Sequence, residues 1–123
     1  MSREMVTLTD AVLITCVVQR GIGDDVVRAA AGAGAQGATV YFGRGTGVRE
    51  RLGILGLAVE VEKEVVNVIV ARDQVEGVFR AIFAAAKLDT PGMGIMYTTE
   101  IEKMATYIPA DVVARLVDQE GAS

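Results

Sequence analysis

The sequence predicts an α+β fold of the ferredoxin-like kind, a βαββαβ chain with an antiparallel sheet. Three observations predict it. Apolar, β-branched runs alternate with segments of helical periodicity in the order strand-helix-strand, strand-helix-strand. The first and third strand runs, which lie centrally in such a sheet, are the most continuously apolar. Two helices can cover only one face of a four-stranded sheet. The other face would leave residues such as Leu13 or Ile14, and Val66 or Val68, against water. An apolar patch of that size marks an interface, so copies of the chain are expected to pack through their open sheet faces.

Each element has its own signal. Ala11–Gln19, AVLITCVVQ, is a near-continuous apolar run and reads as a buried strand, broken by Gly21 and Gly23. From Asp24, the run DDVVRAAAGAGA places acidic residues in a first helical turn and then stays alanine-rich, with Gly34 and Gly37 as the stop. Residues 38–44 read as the second strand and residues 65–71 (VVNVIVA) as the third. Between them LAVEVEKE, residues 57–64, alternates apolar and charged residues. It reads as an extra strand arm with Glu60, Glu62 and Glu64 on a wet face.

Asp73 and Glu76 have the spacing of a reciprocal helix cap. Behind them Val75, Val78, Phe79, Ile82, Phe83 and Ala86 fall on one helical face, and Pro91 with Gly92 closes the helix. Residues 95–99 form the fourth strand. Pro109 opens a short terminal helix over 109–118, with Val112, Val113, Leu116 and Val117 as its apolar face. The whole chain, 1–123, is expected to be one domain.

Composition narrows the chemistry. With 51% hydrophobic residues the chain is too apolar to be disordered. A net charge of −4 argues against generic nucleic-acid binding, which needs a basic face. The opening MSREMVTLTD lacks the apolar core of a signal peptide and no run is long enough to span a membrane, so a cytoplasmic location is expected. Cys16 is the only cysteine, so no internal disulfide can form. Histidine is absent, which removes the commonest general base and metal ligand; the chain is read as a non-enzyme needing no cofactor.

Two glycine stretches stand out. TVYFGRGTGVRERLGILG, residues 39–56, holds Gly43, Gly45 and Gly47 among Arg44, Arg49 and Arg51. Glycine lets main-chain N–H groups approach an anion, and guanidinium groups suit phosphate. No G-K-[ST] occurs, so this is not a Walker A loop. By itself such a stretch describes a hairpin tip. LDTPGMGIMYT, residues 88–98, is a tight connection in which Gly92 and Gly94 could help form an anion nest. Met93, Met96, Met104 and Cys16 could hold a soft metal, but gap-filling is the usual role of methionine. Tyr41, Tyr97 and Tyr107 read as amphipathic surface or interface residues.

Over residues 13–107 the chain resembles the PII signal-transduction proteins. The likeness rests on the opening strand, on DDVVRAAAGAGAQGATV with Asp24, Asp25, Gly34, Gly37 and Thr39, and on GRGTG, where the PII regulatory T-loop begins. It also rests on VNVIVARDQVEGVFRAIFAAAKLDTPGMGIMYT, which looks like the third strand, second helix and nucleotide loop (B-loop) of that family.

The resemblance implies a homotrimer that binds an adenine nucleotide (ATP, ADP or AMP) in clefts between subunits and docks its T-loop on a partner. Carried over, the adenine-contacting strand falls at Gly37 and Thr39, and the T-loop equivalent at 44–57, with Arg44, Gly45 and Gly47 at its base. The B-loop equivalent falls at 88–94, with Gly92, Met93 and Gly94 facing phosphate.

Three basic residues of the family pattern are replaced by Ile95, Thr106 and Ile108. A charge-assisted contact contributes roughly 1.5–3 kcal/mol, so ADP or AMP is expected over ATP, with Arg49, Arg51 or Lys103 as substitute anion contacts. The short T-loop equivalent lacks tyrosine and glutamine, which excludes uridylylation there and weakens the case for 2-oxoglutarate binding with Mg-ATP. The implied function is a PII-like regulator in nitrogen or carbon metabolism, acting on a membrane transporter or metabolic enzyme, with a second small anion such as bicarbonate as an added ligand. The alternatives are a trimeric interaction or metal-tolerance-type protein without nucleotide and, last, a small ferredoxin-like enzyme.

Overall fold

The computed structural model describes residues 5–45, 61–112 and 114. In chain order the elements are β1 (Thr7–Leu8), β2 (Ala11–Gln19), α1 (Gly23–Gly32), β3 (Thr39–Gly45) and β4 (Val61–Ala71). A single 3-10 turn (Arg72–Gln74) leads into α2 (Val75–Ala85), followed by β5 (Gly94–Ile101) and β6 (Met104–Ala105). The main sheet has the order β3-β4-β2-β5 with every neighbouring pair antiparallel. This is the expected α+β, ferredoxin-like arrangement, and the two most continuously apolar strands, β2 and β4, are the central ones.

Strand alternation sorts the central residues into two faces. Ile14, Cys16 and Val18 on β2 and Val66 and Val68 on β4 are fully buried, together with Val26 and Ala30 of α1 and Val78, Ile82 and Ala86 around α2. The two helices lie side by side, α1 over β4 and α2 over β2. The opposite face carries Leu13, Val17 and Val65, half-buried, and Ile69, Ile95, Tyr41 and Tyr97, exposed. Of the residues expected against water, Leu13 therefore lies on the open face, whereas Ile14, Val66 and Val68 lie under the helices. A continuous apolar run has no period from which to choose between those alternatives.

Both helices stop in the same way. At the end of α1 the Ala35 N–H bonds the Ala30 carbonyl and the Gly34 N–H bonds the Ala31 carbonyl, at 3.0 and 3.1 Å. This is a Schellman closure with Gly34 left-handed at φ 110°. At the end of α2 the Leu88 and Lys87 N–H groups bond the Phe83 and Ala84 carbonyls, both at 3.2 Å, and Lys87 takes the left-handed conformation at φ 54°. Hence Lys87, and not Pro91 with Gly92, closes the second helix.

The predicted Asp73–Glu76 cap does not form either. The Gln74 carboxamide oxygen accepts the Ala71 N–H at 3.1 Å, and Glu76 pairs with Arg80. A 3-10 turn occupies the entry and puts Gln74 where it can satisfy the orphan donor.

The alternating segment before residue 65 belongs to β4, whose described part begins at Val61; residues 57–60 lie outside the described residues. Glu64 is buried, not wet: its carboxylate accepts the Gly21 N–H. A Cβ built on Gly23 would meet that carboxylate, so a larger residue at the first position of α1 would have to displace the Glu64 side chain. Of the terminal helix, residues 110–112 and 114 are helical, with the Val112 N–H on the Pro109 carbonyl at 3.0 Å. Val113 and residues 115–118 lie outside the described residues.

Candidate functional site

One end of the sheet holds the described parts of the two glycine stretches, Arg44 and Gly45 on one edge and Gly92, Met93 and Gly94 on the other. There β2 and β3 finish and β4 and β5 begin. Across this end Phe42, Glu64, Val18 and Gly94 stand in one row, one from each strand in sheet order. Arg44 stands opposite Glu62, and an open depression is lined by Phe42, Gly43, Arg44 and Glu62. Arg20 pairs with Glu62 at 3.1 Å.

The second glycine stretch sits at the same end on the other edge. Thr90-Pro91-Gly92-Met93 forms a tight turn, with the Met93 N–H on the Thr90 carbonyl at 3.3 Å and Gly92 at φ 82°. Proline second and a left-handed glycine third is the pattern of a type II turn. Met93's N–H is thereby spent on the turn itself. Gly94, at φ 146°, lies directly over β2: a Cβ there would come within 2.2 Å of the Val17 carbonyl oxygen. Only glycine lets β5 start so close to its neighbour. The Gln19 carboxamide donates to the Gly92 carbonyl at 2.7 Å and ties the turn to the end of β2.

Because β3 and β5 are opposite edges of the sheet, Phe42 and Gly94 are separated by three inter-strand spacings, about 14 Å, and Arg44 lies two residues farther along β3. Thr39 is exposed farther along β3, five residues from Arg44 or about 17 Å, and pairs with Asn67 at mid-sheet. Gly37 precedes β3; a Cβ there would meet nothing within 4 Å, so no local contact requires glycine. Lys103 follows β5 at the far end of the sheet, roughly 25–30 Å from Gly94. Ile95 is exposed on the open face beside Val17, while Thr106 and Ile108 follow β6. Gly47, Arg49 and Arg51 lie outside the described residues.

Sequence reasoning missed Gln19, Arg20 and Glu64, whose contacts join segments 42–73 residues apart. The D-D-V helix start shortly after Gln19 and Arg20 was visible, but nothing local says which strand supplies their partners.

The far end of the sheet is closed by an ion clasp. Arg72 binds Glu100 through both terminal nitrogens and Asp10 through Nε at 3.2 Å. The Arg72 hydrogen bond holds the Glu100 carboxyl below its ordinary range, against a smaller desolvation effect. Cys16, inside the core, has its thiol pushed up to about 11 by burial. Among the described residues no group of three or more His, Cys, Asp or Glu could hold a metal ion, and no helix is long and apolar enough to cross a membrane.

The family model for nitrogen regulatory protein P-II matches residues 11–109. The chain belongs to the PII family. PII proteins are regulatory, and the match spans the whole main sheet and both helices, including every described residue of the candidate end. A search of curated proteins gave no match. Among solved structures, the crystal structure of Arabidopsis thaliana PII bound to citrate is similar, with a TM-score of 0.60 and 23% identity. The match covers 76% of this chain and 79% of that one. At that identity the likeness speaks for the fold.

Proposed function

We propose that this PII-family chain acts as a homotrimer that binds an adenine nucleotide between adjoining copies and regulates a partner according to the ligand held. One observation carries the reading. The two glycine stretches reach the same end of the sheet on opposite edges, about 14 Å apart, so a ligand touching both is most simply served by edges of two neighbouring copies. The open face, with Leu13, Val17, Val65, Ile69 and Ile95, supplies the apolar surface for that packing.

In this reading Gly37, Thr39, Arg44, Gly45 and Gly47 come from one copy and Gly92, Met93 and Gly94 from the next. Arg49 and Arg51 are further anion contacts, and Lys103, at the far end of β5, joins them only if a neighbouring copy brings that end to the cleft. ADP or AMP binds in preference to ATP, because three basic residues of the family pattern are replaced, by Ile95 next to Gly94 and by Thr106 and Ile108 after β6. The loop at 44–57 docks on a membrane transporter or metabolic enzyme of nitrogen or carbon metabolism, in the cytoplasm. A second small anion completes the ligand set; the similar Arabidopsis thaliana PII was solved with citrate, itself a small anion.

Calorimetric titration with ATP, ADP, AMP and cyclic AMP tests the ligand. Heat with ADP or AMP at lower concentration than with ATP is expected, and no heat with any of the four removes the nucleotide. Arg44→Ala should weaken binding about tenfold or more while leaving the sedimentation coefficient unchanged.

A further inference from the structure

The turn after β2 uses three consecutive residues to hold two different parts of the sheet end. Gln19 bonds the Gly92 carbonyl, Arg20 pairs with Glu62, and the Gly21 N–H is accepted by Glu64. The last two contacts fix the turn to the start of β4. The first reaches across to the connection that precedes β5.

The Gly92 carbonyl and the Met93 N–H belong to one planar peptide group. Gln19 holds its oxygen at 2.7 Å, and the Thr90 carbonyl takes its N–H at 3.3 Å. The same peptide is thus gripped at both poles. Gly92 has left-handed freedom at φ 82°, so without such a grip this peptide would sample other orientations. One residue on, Gly94 is pinned over the Val17 carbonyl by close approach.

We infer that Gln19 is the positioning residue of the Thr90–Met93 turn: its carboxamide, carried on the last residue of β2, sets the orientation of the Gly92–Met93 peptide. The consequence for ligand affinity rests on the proposed nucleotide site; the positioning itself does not. Gln19 supplies no charge to a ligand. It acts through the backbone of the turn.

Gln19→Met keeps the length of the side chain and removes the donor, whereas Gln19→Lys keeps a donor at similar reach. The first readout is NMR-detected amide exchange at Met93 in the ligand-free protein. Exchange should rise about fivefold in Gln19→Met, as expected for loss of one net hydrogen bond, and return toward wild type in Gln19→Lys. Arg20→Met, which removes only the neighbouring ion pair, should leave Met93 exchange near wild type. Unchanged exchange in Gln19→Met overturns the inference, as does an equal rise in Arg20→Met.

The second readout is calorimetric titration of wild type and Gln19→Met with ADP and AMP. Affinity loss alongside faster Met93 exchange extends the positioning role to the ligand. Absence of heat in the wild type defeats the nucleotide reading, while the exchange result still decides the role of Gln19.

Discussion

The two faces of the central sheet are built from the same kind of residue and have opposite fates. On the covered face Ile14, Cys16, Val18, Val66 and Val68 are at 0% exposure beneath α1 and α2. On the other, Val17 and Val65 are only half-buried and Ile69 stays 46% exposed. The open face is not uniformly apolar. Thr15 donates its hydroxyl to Asn67 Oδ1 at 2.8 Å, and the Asn67 amide lies 3.5 Å from the Tyr41 hydroxyl. Hydrophobicity alone therefore does not say which surface is the core. Coverage does, and among the described residues neither helix lies over the open face.

The largest effect should separate the faces directly. Ile14→Ala should cost about 2–5 kcal/mol in denaturant unfolding, because it leaves a cavity under the helices. Leu13→Ala should cost clearly less at high dilution and act mainly on the concentration dependence of the transition, since its face is proposed to be covered by another copy. Equal costs independent of concentration would erase the distinction.

Next in size is association. Ile69→Glu puts a charge into the open face without touching the helix-packed core, so sedimentation should report single chains while the circular dichroism spectrum is retained. An assembly that survives this change is not held through that surface.

Thiol chemistry sharpens the comparison more gently. Burial pushes the Cys16 thiol from 9.0 up to about 11, so at pH 8 roughly a hundredth of the ordinary thiolate fraction remains. Folded protein should label slowly and unfolded protein fast. In a Cys16→Ser background, Val17→Cys on the half-buried face should label readily when chains are dissociated. The sign of the pH effect follows from the raised value: the contribution of the neutral thiol is complete below pH 9 and lost as pH rises toward 11.

The smallest effect belongs to the clasp at the far sheet end, which lies in solvent. Its Glu100 carboxyl titrates below the ordinary 4.5 because Arg72 hydrogen-bonds the charged form. The stabilising contribution is therefore present above the unfolded-state value and disappears as pH falls through the lowered folded one. Glu100→Gln should flatten that part of an acid-unfolding curve and leave the neutral-pH midpoint nearly unchanged. A large loss at neutral pH would mean that strand ends matter more than either face.

Much of the fold was legible. The unbroken apolar runs of β2 and β4 identified the central strands, and Gly34 marked the helix stop that its left-handed φ of 110° confirms. Lys87 was not legible, because a lysine in that conformation carries no local sequence signal and is held by the closing bonds around it. Glu64 was misread as wet because alternation over LAVEVEKE has the same period whether a carboxylate meets water or a turn from 43 residues away. The short β1–β6 pair was missed for a related reason: two residues on each side are too few to show a period. For the candidate site, the glycine stretches were visible as strings, and the central place of the first and third strands put them on opposite edges; the side-chain contacts of Gln19 and Glu64 that hold this end were not visible.

By itself, then, the sequence determined the order of elements, the central pair of strands, the absence of a histidine-based active site and the two stretches where main chain can approach an anion. Those follow from residue type and spacing, which local sterics and hydrophobic period translate into structure. Only the tertiary arrangement decided which side of β2 and β4 is covered, and that Glu64 and Gln19 hold the turns at one end. The reason is physical: a buried carboxylate, a carboxamide on a distant carbonyl and the choice of a covered face all depend on what packs against a residue. Nothing within its own stretch of chain specifies that partner.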